Sequence, residues 1–363
     1  MKLNLSVLFT GLLIMTACSS KHDGKSWKKG ILTDEFIYTE APFPSCHSAT
    51  IAETPEGLVA AWFGGTHERH PDVEIWVSRR ENDQWTAPVS VANGIMNDTL
   101  RYPTWNPVLY HVPDGKLLLF YKVGPRPSTW KGMMLSSEDN GHTWSKSEAL
   151  PEGFIGPVKN KPVLLDNGNL LCPSSTEEHG WRVHFEITPD FGKIWSKVGP
   201  ISSGKVYDVI QPAILNHGNG ILQALCRSRN AVIATSWSHD NGKTWGLLWP
   251  SGLPNNNSGI DAVTLKDGRF LVVYNHVATP VNARKGHRTP LNVAVSDDGK
   301  HWKAACILED SEISQYSYPS VIQSADGMVH IVYTWRRERI KYVKIDPDKL
   351  ELSPIVDEKW PEN

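Results

Sequence analysis

The sequence is short of several things that would declare a function outright. Its 37 Lys and Arg nearly balance its 39 Asp and Glu, for a formal net charge of −2. Neither a nucleic acid nor an anionic membrane surface is therefore expected as a partner, and any basic site has to be local. The five cysteines include no CxxC pair. Beyond Cys18, the thiols of Cys46, Cys172, Cys226 and Cys306 read as buried and free, not as zinc ligands or a disulfide framework. Acidic side chains do not gather at metal-ligand spacing, so no metal and no other cofactor is expected. No stretch of useful length past the N-terminus carries a 3.6-residue apolar period, which argues against an α/β enzyme.

A membrane-spanning segment is also missing. The apolar run over residues 5–15 is too short to cross a bilayer, follows Met1-Lys2-Leu3-Asn4 and ends in Met15-Thr16-Ala17-Cys18. This is the pattern of a bacterial lipoprotein signal, with Cys18 as the cleaved and acylated residue. The alternative is an ordinary signal cleaved near Ala17. Residues 19–30 then read as a polar tether and residues 31–363 as one domain. The expected location is the bacterial cell envelope, lipid-anchored, in the periplasm or on the outer-membrane surface.

What the chain does have is repetition. Six turn glycines, Gly57, Gly115, Gly168, Gly220, Gly268 and Gly327, stand roughly 48 to 59 residues apart. Each is flanked by apolar stretches, as in HVPDGKLLLFY or TLKDGRFLVVY, the pattern of a tight hairpin between buried strands. A second motif alternates with the first: SSEDNGHTW to Trp144, TPDFGKIW to Trp195, SHDNGKTW to Trp245 and SDDGKHW to Trp302. In these Asp-boxes the Ser or Thr and Asp side chains satisfy a tight turn, Gly supplies positive φ and Trp packs into the sheet. A degenerate copy ends at Trp85, and the sixth repeat has no box. Six such units predict an all-β fold, a six-bladed β-propeller. Most of the 15 Trp are accordingly expected to pack blades, although aromatic faces also stack on sugar rings.

A propeller site lies on the axis, where inner strands begin and second strands end. Counted back from each glycine, that slot holds Cys46-His47, Trp105-Asn106, Asn160-Lys161, Gln211, Asn257-Ser258 and Tyr318. Counted forward, it holds Lys122, Arg227 and Asn275. Lys122, Lys161 and Arg227 are expected to face one mouth, joined by Arg288 and Arg126. A cationic pocket in a chain of near-zero net charge predicts an anionic ligand, most simply a carboxylate.

On these motifs the chain resembles the sialidase (neuraminidase) superfamily, in its bacterial branch of Asp-box repeat proteins, over nearly the whole mature length. The resemblance implies an exo-acting glycoside hydrolase on an acidic sugar such as sialic acid in host or dietary glycans. It implies Asp72 in RHPDVEIW as the acid, Tyr318 in QYSYPSV as the nucleophile, and Arg227 and Arg288 as two arms of a carboxylate clamp. Two positions depart from the family. The first clamp arginine is replaced in the region of Cys46-His47, and the Glu that partners the nucleophile reads as Gln211, which cannot accept a proton at neutral pH.

Two other readings use the same residues. A propeller lyase on uronic-acid glycans would take His47 or a Tyr as base, with His67, His70, Tyr102 or Tyr110 and Arg126 nearby. A non-catalytic glycan-binding lipoprotein would keep the pocket and lose the chemistry. All three share an acidic oligosaccharide or glycoconjugate as partner.

Overall fold

Every glycine-centred repeat folds as the hairpin its pattern predicts. A computed structural model describes residues 27–362, and in it six antiparallel sheets of four or five strands stand around one axis. The inner strands are Ser45–Thr54, Thr104–His111, Val163–Leu164, Val209–Asn216, Asp261–Thr264 and Tyr316–Gln323, which we number blades I to VI. Second strands such as Leu117–Val123 and Leu222–Ser228 are buried along their whole length. Each is covered on both faces by neighbouring blades, which is why they read as unbroken apolar runs and not as alternations.

The core is correspondingly divided. Separate apolar clusters fill the spaces between successive blades; one joins Trp62, Ala60 and Ile51 of blade I to Val332 and Tyr342 of blade VI. Another joins Phe185 and Leu171 of blade III to Ile214 and Ala224 of blade IV. Burying one Val, Leu or Phe side chain contributes about 1.5–3 kcal/mol, so no blade is stable without the two that cover it. Cys46, Cys172, Cys226 and Cys306 lie in these interfaces as buried free thiols.

Blade VI closes the ring by taking its outermost strand from the other end of the chain. Ile31–Phe36 pairs antiparallel with Arg339–Ile345. Near the C-terminus, Ser353–Pro354 adds a fifth strand to blade V. Residues 27–30, expected in the tether, belong to the body: Trp27 is buried against Trp360 and its carbonyl accepts from the Ile307 amide. Cys18 and the expected signal sequence lie outside the described residues. Among the described residues no helix is long and apolar enough to cross a membrane.

The four Asp-boxes form as expected. In the box at Trp245, Asp240 accepts from the Thr244 amide at 2.8 Å and the Thr244 hydroxyl at 2.6 Å. The buried Ser238 hydroxyl accepts from the Gly242 amide at 2.9 Å. The degenerate copy is instead a hairpin turning on Asn82 and Asp83, both left-handed. Because strands alternate in direction, boxes and glycine turns share one face of the ring. The opposite face carries the loops between second and third strands: residues 66–73, 124–130, 177–181, 229–231, 275–290 and 336–338.

Candidate functional site

The site begins with four bulges. In blades I, II, IV and VI the inner strand slips against the second strand at one level, between His47 and Thr50, Trp105 and Val108, Ile210 and Ala213, and Ser317 and Ser320. Two residues there oppose one, and the first of each pair is left-handed: Ser48, Asn106, Gln211 and Tyr318, with φ between 33° and 57°. A bulge releases the residue from the ladder and re-aims its side chain. In three of the four the next residue is Pro107, Pro212 or Pro319, whose missing N–H costs nothing where no ladder bond is made.

Gln211 and Tyr318 are thereby turned toward each other. The Gln211 side-chain amide donates to the Tyr318 phenol oxygen at 3.2 Å, and Arg227 Nη1 donates to the same oxygen at 2.6 Å. Arg227 also donates to Gln211 Oε1 at 3.1 Å and to Asn257 Oδ1 at 3.0 Å, while its guanidinium lies 5.0 Å from the Trp181 ring centre. From the 275–290 loop, Arg288 stands 5.7 Å from the Tyr318 ring centre and donates to Ser317 Oγ at 3.3 Å. His47 packs its ring 4.2 Å from that of Tyr318 and hydrogen-bonds Thr334 Oγ1 at 2.9 Å. Burial, reinforced by Arg337, Arg288, Arg227 and Lys159, drives the His47 ring well below its usual range, so it is neutral.

Lys159, next to the expected Asn160-Lys161 pair, supplies a further ammonium. Its ammonium is buried below Tyr318 and donates to Asn160 Oδ1 at 2.8 Å, to the Ile260 carbonyl at 2.7 Å and to the Pro319 carbonyl. Three protons thus meet three acceptors, pinning blades III, V and VI at the axis. Burial nevertheless lowers this group to about 7, with Lys161 and Arg227 adding to the effect against Asp261.

Other expected residues fall elsewhere. Lys122 does not reach the mouth: it is fully buried, donates to the Pro157 carbonyl, and is lowered to about 7 by burial. Lys161 is spent on Asp261, at 3.0 Å, and on the Ala262 carbonyl. Trp105 is a wall residue, donating to the Gly124 carbonyl at 2.7 Å and meeting Trp130 edge-on. Asn106 holds the blade II bulge and is buried. Arg126 and Tyr102 line a separate apolar cleft of about 680 Å³ beside the exposed hairpin at Ile95–Asn97.

Asp72, expected as the acid, is a part-exposed carboxylate. Its carboxylate closes the 66–73 loop on itself, accepting from the Thr66 amide at 3.0 Å and hydroxyl at 2.6 Å, with His70 Nδ1 at 2.7 Å. Partial burial raises this carboxyl, but Thr66 and His70 together outweigh it and hold it below the usual range. Gly65 is required for the closure, since a Cβ there would lie 2.6 Å from Asp72 Oδ1. His67 and His70 belong to the same turn, their rings 5.2 Å apart.

The carboxylate that does reach the cluster is Glu68, at the tip of this loop, which pairs with Arg337 of blade VI. Neither residue stood out in the sequence, because both sit in loops outside the repeat register. Arg337 lies in the turn between the second and third strands of blade VI and Glu68 in the same connection of blade I, on the face opposite the Asp-boxes. Arg227 and Arg288 have no carboxylate at ion-pair distance among the described residues, and their own partners are neutral. Burial and then Arg227 lower Arg288 to about 10, which leaves it charged at neutral pH.

Comparison with known proteins agrees with this architecture. The model of the BNR repeat-like domain family matches residues 56–331. A sialidase of Paraclostridium sordellii is 22% identical over 215 residues, covering 47% of this chain and 53% of that protein, so the chain spans about half the length of this curated relative. A protein of unknown function from Dyadobacter fermentans superposes with a TM-score of 0.71 at 17% identity, over 87% of this chain and 99% of that one. The NanB sialidase of Streptococcus pneumoniae gives 0.69 at 13% identity, over 88% and 71%. At such identities the structural likeness speaks for the fold, a sialidase-like six-bladed propeller. The family match covers most of the chain, and the chain belongs to the BNR repeat-like domain family.

Proposed function

We propose that this protein is an exo-acting glycoside hydrolase of the sialidase type, releasing a terminal carboxylated sugar from a glycoconjugate. The observation that carries this reading is the Tyr318 phenol oxygen, which receives a guanidinium N–H at 2.6 Å and an amide N–H at 3.2 Å. Two donors converging on one oxygen stabilise negative charge there, in a water-poor setting where such bonds are strong. Tyr318, its phenol proton passed to water, attacks the anomeric carbon as that carbon's bond to the leaving oxygen breaks, and water later releases the sugar from the tyrosine. Arg227 and Arg288 hold the sugar carboxylate. Asp72 takes up a proton from water, against the Thr66 and His70 contacts that hold it charged, and gives it to the leaving oxygen once bound substrate covers the 66–73 loop.

Elimination with His47 as base fits less well, because a ring kept neutral by burial and by surrounding cations resists taking up a proton. Binding without turnover is favoured by one feature, the amide of Gln211 in place of a proton acceptor beside Tyr318. An acylated Cys18 would put the site at the bacterial cell envelope, in reach of external acidic glycans. The test is a screen of purified protein against sialosides and uronic-acid oligosaccharides, following both reducing sugar and ultraviolet absorbance. Saturated reducing sugar supports the hydrolase; a new double bond, or binding with neither signal, overturns it.

A further inference from the structure

Between the outer strand of blade I, Val89–Ala92, and the inner strand of blade II the chain makes an extra hairpin, Ile95–Asn97 paired with Leu100–Arg101. It lies on the face that bears the site, where inner strands begin. Its asparagines are spent on its own turns: Asn93 Oδ1 accepts from the Ile95 amide at 3.1 Å, and Asn97 Oδ1 from the Thr99 and Leu100 amides at 3.0 Å each. The neck closes over Gly94, where a Cβ would lie 1.8 Å from the Tyr102 carbonyl oxygen. A hairpin fixed in this way nevertheless leaves Met96 and Leu100 49% and 39% exposed, a cost in water that a bound apolar group removes. With Tyr102 and Met133 they line the cleft of about 680 Å³, in which Arg126 and Lys131 are the charged residues.

Two ties join this cleft to the site. Arg101, at the foot of the hairpin, donates to the Asp72 carbonyl at 3.3 Å and to the Glu74 carboxylate at 2.6 Å, fastening the hairpin to the 66–73 loop. On the other side Gly124 of the lining accepts from Trp105, and the rings of Trp105, Phe63, His47 and Tyr318 then follow one another in contact. We propose that the cleft is the subsite for the non-sugar part of the substrate, and that this part is an alkyl chain of lipid type. The proposal rests on the reading of the protein as a hydrolase with Asp72 as its acid. A leaving oxygen protonated by Asp72 lies against the 66–73 loop, so the group that departs with it runs toward the hairpin fastened to that loop. A further polar sugar placed there would give up water to Met96 and Leu100 without compensation, whereas an alkyl chain gains about threefold in affinity for each methylene it buries. Arg126 and Lys131 suit polar or anionic groups carried beside the chain.

The experiment compares methyl, butyl and octyl sialosides and the matching glucuronides, by kcat/KM and by calorimetric titration of the full-length protein. Both readouts are expected to rise about threefold per methylene until the cleft is filled. Leu100→Asp, and separately Met96→Asp, should lower the octyl-to-methyl ratio by at least about tenfold. Ile95→Asp, on the same hairpin but outside the lining, should keep that ratio. A ratio near one in the wild type overturns the proposal, as does an equal fall in all three variants. So does a wild-type dimer that Leu100→Asp dissociates in sedimentation, since a second copy would then be what covers the hairpin. Turnover independent of chain length leaves the hydrolase standing and this proposal fallen. If no glycoside is cleaved, the hydrolase reading falls and the titrations decide alone: the alkyl subsite stands where octyl compounds bind more tightly than methyl ones and lose that advantage in Leu100→Asp, and falls where they do not.

Discussion

Arg227 of blade IV donates from Nη1 to the phenol oxygen of Tyr318 of blade VI at 2.6 Å, joining two blades that are not neighbours through the centre of the ring. The same guanidinium is fixed by Asn257 and by Gln211, so its direction is set before any ligand arrives. Tyr318→Phe should leave glycan binding within about threefold and lower kcat by at least about a hundredfold, the scale of losing a group that acts in the transition state. Arg227→Met should damage both KM and kcat, since it removes the proposed carboxylate contact and the donor to Tyr318. Steady-state kinetics on one acidic glycoside separates the two patterns. Equal loss of kcat in both variants, with KM untouched, would deny Arg227 a part in binding.

Gln211 offers the opposite experiment. Its amide donates to the Tyr318 oxygen, so the proposed attack by the tyrosine has no neighbouring carboxylate to take the phenol proton. Gln211→Glu places an acceptor there, and turnover near neutral pH should rise about tenfold with a new acidic limb in the pH profile as the added carboxylate titrates. An unchanged profile would mean that deprotonation of Tyr318 does not limit the rate.

Asp72 can be a turn former and an acid at different stages, and the leaving group tells them apart. Asp72→Asn can still accept from the Thr66 amide. If Asp72 protonates the leaving oxygen, the variant should lose about a hundredfold or more on natural glycosides and far less on an activated aryl glycoside, which needs no proton. Equal losses on both would reduce Asp72 to a loop-closing role.

Buried imidazoles make the fold sensitive to acid. Burial pushes His330 down from 6.5 to about 4, with Lys344 and Arg80 adding to it, while the ring is held between Ser324 and the Tyr342 hydroxyl. Asp326 faces the same ring and pulls the other way. His276 is likewise lowered to about 4 by burial. The unfolded chain binds these protons near pH 6.5 and the folded chain does not. Stability is therefore whole above about 6.5 and falls as pH drops toward 4, by on the order of 3 kcal/mol for His330 once below it. Urea midpoints at pH 7 and pH 5 should show the loss, and His330→Gln should shrink it. A midpoint independent of pH would contradict the burial argument.

Much of this fold was legible in the sequence because its determinants are local. Six glycine hairpins and four Asp-boxes each need only a dozen consecutive residues, and all took the expected shape. The ring closure was not legible: Ile31–Phe36 is a short, half-polar strand whose partner lies more than 300 residues away. The site was legible where it follows the repeat register, at Gln211, Arg227, Tyr318 and His47. It was illegible where loops deliver the groups, at Glu68 and Arg337. Lys122 and Lys161 misled because register gives depth along a strand but not which gap between blades a side chain enters. The bulges explain Lys159 as well, since it donates to the carbonyl of Pro319 in the blade VI bulge.

The closure itself predicts a truncation phenotype. A chain beginning at Ile37 exposes the edge of Arg339–Ile345 and loses the outer strand of blade VI. Calorimetry should show a lower Tm and a broadened transition, with aggregation through the bared edge. A sharp, unshifted transition in the shorter chain would show that the ring does not depend on its terminal latch.

The four bulges carry a consequence for how such a protein changes over time. A side chain exempt from the ladder can be exchanged without repairing a sheet, so the floor of the ring is a set of interchangeable sockets on one chassis. Ser48, Asn106, Gln211 and Tyr318 occupy those sockets here in the same left-handed backbone. New chemistries on this scaffold can therefore arise one socket at a time, each by a single codon, while the blades around them stay as they are.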